Sequence, residues 1–260
     1  MVDARCSSIS VLSTSVATSD FKAWAESWIA LAKYPGARLP DEEARITKLV
    51  ELWHAPVPSG WERSEPDQRL LDPNRRYCRT HTGGDRVPRA EHALECDILK
   101  PIPACTATVC LGAPLVDGVN AVPLTKDADG GRAGNVEADM FLLTWRAQGL
   151  LLLLVEVKVE SNNAWYAAVE NLRQMKLFLS SATPRAVFHT RLPELGLPDD
   201  LPTTAVVLAP LSFYTAPGKK SAAVAPARRL LQRMSHETRL DAVLATWDPE
   251  SRAIETYPTD

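Results

Sequence analysis

Ionisable residues interrupt a stretch that otherwise reads as a buried strand. Residues 150–159 are almost continuous Leu and Val, yet they include Glu156 and Lys158. Burying a charge is costly unless it is paired or bound to a cation. Side chains alternate along a strand, so Glu156 and Lys158 share one face. Asp139 stands 17 positions before Glu156, on a preceding strand expected over 138–146. A two-residue turn at 147–148 sets Asp139 opposite Glu156, and one at 148–149 sets it opposite Lys158. Either register gathers all three on one face, whereas a three-residue loop would turn Asp139 away. Directly opposed residues have Cβ atoms about 4.5–5.5 Å apart. Two carboxylates so placed suit a hard divalent cation such as Mg²⁺, with Mn²⁺ as a substitute and the Val157 carbonyl as a further oxygen ligand. Lys158 could orient a water or offset charge on a phosphate. The competing reading is a salt-bridge cluster at a strand end.

The surrounding pattern supplies the elements. Phe21, Trp24, Trp28 and Leu31 follow Ser19-Asp20 at helical spacing, and Ile46, Leu49, Val50 and Trp53 follow Pro40-Asp41. These predict a helical hairpin whose tryptophans are core. Residues 55–88 are broken by five prolines and carry arginines at 63, 69, 75, 76, 79 and 86. They read as a long loop, either solvated or a phosphate-contacting arm. A helix is expected over 89–99, a strand over 104–111 and a Gly/Asp-rich loop over 117–134. After the motif, Asn162 or Asn163 caps a helix running to about Ser180. A strand over 203–214, a basic helix over 225–236 and a hairpin turning at Asp248-Pro249 complete the chain.

Asp139, Glu156 and Lys158, as "EAD…VEVK" across a strand hairpin followed by a helix, resemble the PD-(D/E)xK nuclease superfamily. The resemblance covers about residues 89–214. It implies a restriction-endonuclease-like α/β core, with a mixed central sheet flanked by helices, in residues 89–260. Residues 1–88 would be an N-terminal helical extension. It also implies that Asp139 and Glu156 bind Mg²⁺ and that Lys158 assists the attacking water. "RQMKLF" resembles the Gln-x-x-x-Tyr helix of RecB-like members, which marks Gln174 as a further catalytic residue. Phe178 replaces the Tyr, and Ala138 replaces the usual Pro before the Asp. Some members add a Glu from the first helix, and Glu95 stands ahead of Glu91 for that role.

The implied activity is a metal-dependent phosphodiesterase acting on nucleic acid, DNA before RNA, of the restriction, repair or antiphage-defence type. Arg173 and Lys176 beside the motif, with Lys219, Lys220, Arg228 and Arg229 near the late helix, are the candidate phosphate contacts. Trp165 and Tyr166 could stack on a base, though packing is the simpler use. The alternative function is an inactive protein of the same fold that binds nucleic acid or protein. A homodimer is one allowed assembly.

Composition narrows the classes. In 260 residues, 45% are hydrophobic and 23% charged, which excludes a disordered chain, a collagen-like rod and a coiled coil. The net charge of −3 is not that of a histone-like protein. Five cysteines without a C-x-x-C argue for reduced thiols and a cytoplasmic location. No signal peptide or membrane span is expected, and no P-loop, G-x-S-x-G or G-x-G-x-x-G occurs.

Overall fold

A computed structural model describes residues 9–34, 39–72, 90–100, 108–126, 136–160 and 162–258. Helix α1 (Ile9–Ala32) starts well before the expected Ser19, because residues 9–32 contain neither Gly nor Pro to stop it. Helix α2 (Glu42–His54) buries Ile46, Leu49, Val50 and Trp53 as its spacing predicts. Helix α3 (Ala90–Leu99) precedes strands β1 (Val109–Cys110), β2 (Ala113–Pro123), β3 (Glu137–Arg146) and β4 (Gly149–Val157). Helices α4 (Ala164–Ser180) and α5 (Ala182–Arg191), strand β5 (Thr203–Ala209), and helices α6 (Leu211–Thr215), α7 (Lys219–Ala222) and α8 (Val224–Thr238) follow. Strands β6 (Asp241–Asp248) and β7 (Ala253–Thr256) end the fold.

The sheet is mixed, as expected, but it is not open. Strands β1 to β4 pair antiparallel in order, β4–β5–β6 pair parallel, and β6–β7 pair antiparallel. Strand β1 then pairs parallel with β7, so the seven strands close into a barrel. This corrects the restriction-endonuclease-like fold class. The two residues Val109 and Cys110 join both edges of what would otherwise be an open sheet.

Three local readings are also corrected. Strand β2 takes residues 117–123 of what reads as loop, and its Asp117 and Gly118 are used within the strand. A Cβ at Gly118 would lie 2.6 Å from Leu99 Cδ2, so glycine lets α3 approach. Strand β5 stops at Ala209, before the expected 214, because Pro210 lacks the N–H a ladder needs and opens α6 instead. Helix α5 goes unread because of Pro184. That proline falls in the first turn, where its missing N–H leaves no gap, and Ser181 caps the helix through the Thr183 amide at 3.3 Å.

The two faces of the sheet bury separate cores. One face of all seven strands meets Ile98 and Leu99 of α3. The other carries Phe141, Leu143, Leu152 and Leu154 and packs under α1, α2, α4, α5 and α8. Trp24 and Trp28 belong to this second core, so the tryptophan spacing in α1 is packing. Among the described residues no helix is long and apolar enough to cross a membrane.

Candidate active site under helix α4

The β3–β4 hairpin turns at Ala147-Gln148, with Arg146 paired to Gly149. Gly149 takes φ 120°, which favours glycine at the turn. Counting back from Met140↔Val155 sets Asp139 opposite Glu156. Alternation puts Asp139, Glu156 and Lys158 on the same side as Phe141 and Leu154, beneath α4. Asn163 caps α4 by accepting the Tyr166 amide at 3.0 Å, which orients the helix over the strand ends.

Direct bonds tie the group together. Asp139 Oδ2 accepts the Val157 amide at 2.7 Å. Lys158 Nζ donates to Glu156 Oε1 and lies 3.3 Å from Glu170 Oε2. Gln174 Nε2 donates to Glu156 Oε2 at 2.7 Å and to the Glu137 carbonyl at 3.0 Å. The carboxyl groups of Glu156 and Glu170 lie close enough to shift one another, Glu156 upward and Glu170 downward. Glu95 comes from α3 and accepts the Asn120 amide at 2.8 Å, with His92 Nδ1 at 3.3 Å.

Burial is the main electrostatic force here. It pushes Asp139 up to about 7, aided by Glu95 and Glu170 and opposed by Lys158 and the Val157 amide. Burial likewise pushes Glu95 up to about 7, against the Asn120 bond. Glu156 is raised well above the usual carboxylate range by burial and by the charges of Asp139 and Glu170. Burial opposes the charge on Lys158, but Glu156, Glu170 and Asp139 together outweigh it and hold the ammonium firmly protonated. Glu170 is also opposed by burial, yet Lys158, the neighbouring Glu156 carboxyl and Arg173 keep it below its ordinary value.

The structure thus brings together Asp139, Glu156, Lys158 and Gln174, with Glu95 within Coulombic reach. At Val157 it is the amide that contacts Asp139. Glu170, Asn120 and His92 were not anticipated. Glu170 lies one helical turn before Gln174, a spacing visible in the sequence. Asn120 lies on the strand read as a loop.

The expected phosphate contacts have intramolecular neighbours. Arg173 is buried beside Glu170, with Nε and Nη1 unpartnered. Lys176 lies over the Trp53 ring, Lys220 over Phe213 and Arg228 over Tyr257. Arg229 forms an ion pair with Glu42 on α2. Lys219 opens α7. Trp165 is fully buried and donates to the Leu31 carbonyl at 2.9 Å, so base stacking by it is ruled out. Phe178 packs edge-on against Phe141 at 5.1 Å as core. In the proline-rich segment, Arg63 reaches the Thr125 carbonyl and Arg69 pairs with Asp67. Arg75, Arg76, Arg79 and Arg86 lie outside the described residues. Cys110 is a free, buried thiol, whereas Cys96 is disulfide-bonded, which corrects the all-thiol expectation at that position.

Among the described residues no group of three or more His, Cys, Asp or Glu stands ready around an ion. The chemistry of the donors nevertheless suits one. The carboxyl groups of Glu95, Asp139, Glu156 and Glu170 all lie within Coulombic reach of Lys158. Burial favours the protonated forms of Glu95, Asp139 and Glu156, and a divalent cation would take the place of those protons. Comparison of the chain with protein-family models, curated proteins and solved structures finds no match.

Proposed function

We propose that this chain is a Mg²⁺-dependent nuclease that hydrolyses phosphodiester bonds of nucleic acid, DNA before RNA, with Mn²⁺ able to substitute. The observation that carries the reading is the pairing of Asp139 with Glu156 beside Lys158, in a buried group whose carboxylates outnumber its cations. A salt-bridge network built for stability pairs its carboxylates with cations, whereas here burial and mutual repulsion resist the ionisation of Asp139 and Glu156, a cost that a bound cation would relieve. The reading keeps the motif-level resemblance to PD-(D/E)xK nucleases and transfers it to a closed sheet. A role in restriction, repair or antiphage defence rests on that resemblance alone.

Asp139 and Glu156, with the Val157 carbonyl, would hold the cation. When bound, it would polarise the phosphate and make a nearby water more acidic. Lys158 stays an ammonium in this setting, so it serves as a donor to phosphate oxygens and stabilises the charge that grows there. An ammonium has no lone pair with which to take the proton of the attacking water, so another group must accept it. Glu95 is better tuned for that step, since a proton acceptor works best when its pKa lies near the working pH. Gln174 would hold one oxygen of the Glu156 carboxylate in place through its amide.

A second reading has one observation in its favour. Both Glu156 oxygens are already engaged, by Lys158 and Gln174, as they would be in a binding module with a purely structural cluster. Purified protein incubated with plasmid, linear and single-stranded DNA and with RNA separates the two. Cleavage in Mg²⁺ or Mn²⁺ that disappears in EDTA, in Asp139→Asn and in Lys158→Ala is the expected result. Nucleic acid retained in a gel but never cut would favour the binding module. A cytoplasmic location accompanies the nuclease reading, and the disulfide at Cys96 is the observation that weighs against it.

A further inference from the structure

Lys158 Nζ touches two carboxylates at once, Glu156 and Glu170. Glu156 Oε2 is taken by the Gln174 amide, which is itself anchored to the Glu137 carbonyl of β3. The oxygen left to face a cation is therefore Oε1, and the Lys158 ammonium occupies it. An ammonium and a divalent ion cannot share that position, because like charges in contact repel strongly in a buried site. Lys158 is only 8% exposed, so it has little access to solvent when displaced. Glu170 already stands beside it at 3.3 Å. Glu170 also lies one turn before Gln174 on α4, so one helix face presents both groups. The Arg173 guanidinium lies on the same helix, close enough to steady the Glu170 charge.

We propose that Glu170 is a positioning residue that takes over Lys158 when Glu156 turns to the cation, keeping the ammonium in the site beside the phosphate. The inference rests on the nuclease reading. Helix α4 then has two tasks on successive turns: Gln174 orients the metal carboxylate and Glu170 holds the displaced lysine.

The test is isothermal calorimetry of Mg²⁺ and Mn²⁺ binding to the full chain, in four forms: unaltered, Glu170→Gln, Lys158→Ala and the double variant. Melting without metal checks that each is folded. Loss of a group supporting a metal ligand typically weakens affinity 10- to 100-fold, so Glu170→Gln should weaken cation binding by about ten-fold. In the Lys158→Ala background the same substitution should change affinity by no more than about two-fold, since the lysine it would receive is gone. Glu170→Asp, a second variant in case Glu170→Gln does not fold, should lose less affinity than the Gln form. Equal losses in both backgrounds would make Glu170 a direct ligand and overturn the proposal. An unchanged affinity in Glu170→Gln would also overturn it. If the unaltered chain binds no cation, the nuclease reading fails first, and the two failures are distinguished by that single measurement.

Discussion

Gln174 Nε2 lies 2.7 Å from Glu156 Oε2 and 3.0 Å from the Glu137 carbonyl, so one helix amide clamps a strand carboxylate against the neighbouring strand. Gln174→Leu keeps the bulk and removes the donor. A buried acceptor left unpaired costs about 1–3 kcal/mol, so the melting temperature should fall. Mg²⁺ affinity should weaken about 10- to 100-fold, as for other groups that orient metal ligands. Calorimetry on the folded variant measures this. A variant with lower stability but unchanged Mg²⁺ affinity would reduce Gln174 to a packing residue.

A second relationship lies outside the site. Arg191 is fully buried, and its Nε and Nη2 donate to the two Asp117 oxygens at 2.7 and 2.9 Å. Its Nη1 also reaches the Leu70 and Asp72 carbonyls, tying the proline-rich segment to the barrel. Arg191→Met leaves the Asp117 charge buried and alone, which should cost about 3–5 kcal/mol in urea unfolding. Adding Asp117→Asn removes that stranded charge, so the double variant should be more stable than Arg191→Met alone. A double variant that is less stable would show that Arg191 acts mainly through the two carbonyls.

Asp117 also explains what was legible in the sequence. The β3–β4 hairpin could be read because a period of two and a short turn are local facts, and they set Asp139 opposite Glu156 without knowledge of any other element. Strand β2 could not. Asp117, Gly118 and Asn120 look like loop residues until their partners are known, and these are Arg191, Leu99 and Glu95. Each partner is distant in the chain. Barrel closure is hidden for the same reason, since it depends on two residues pairing with β7 far along the chain. The basic residues misled in the opposite direction. Charge at helical spacing does not reveal that Arg229 faces Glu42 on α2.

Ala121 has φ 52°, a left-handed conformation that a Cβ disfavours, and the β2–β3 register sets it opposite Asp139. For a non-glycine residue this costs roughly 1–2 kcal/mol. Ala121→Gly relieves the strain but frees the unfolded chain, which returns about 0.4–1 kcal/mol of the gain. The net expectation is a rise in stability of up to about 1.6 kcal/mol in urea unfolding. The strain would then be a local cost of bending β2 beside the site. A clear loss of stability would mean that the Ala121 methyl contributes more through packing than its backbone costs.

Glu95 makes stability depend on pH in a direction that can be worked out. Its carboxyl is pushed up to about 7 in the fold, from an ordinary value of 4.5. Below pH 4.5 it is protonated folded and unfolded, and its contribution is complete. Between 4.5 and 7 the unfolded chain releases the proton while the folded chain keeps it, so stability falls as pH rises. Above about 7 both states are ionised and the fall ends. A difference of that size corresponds to about 3 kcal/mol, to which Asp139 adds in the same direction. Melting in EDTA should therefore drop between pH 5 and 8, and Glu95→Gln, which can still accept from Asn120, should flatten part of the drop. Mg²⁺ at pH 8 should restore stability, because a cation then replaces the lost protons. A melting temperature that stays level across this range in EDTA would show that these carboxylates are solvated, and would remove the electrostatic reason for a cation at the site.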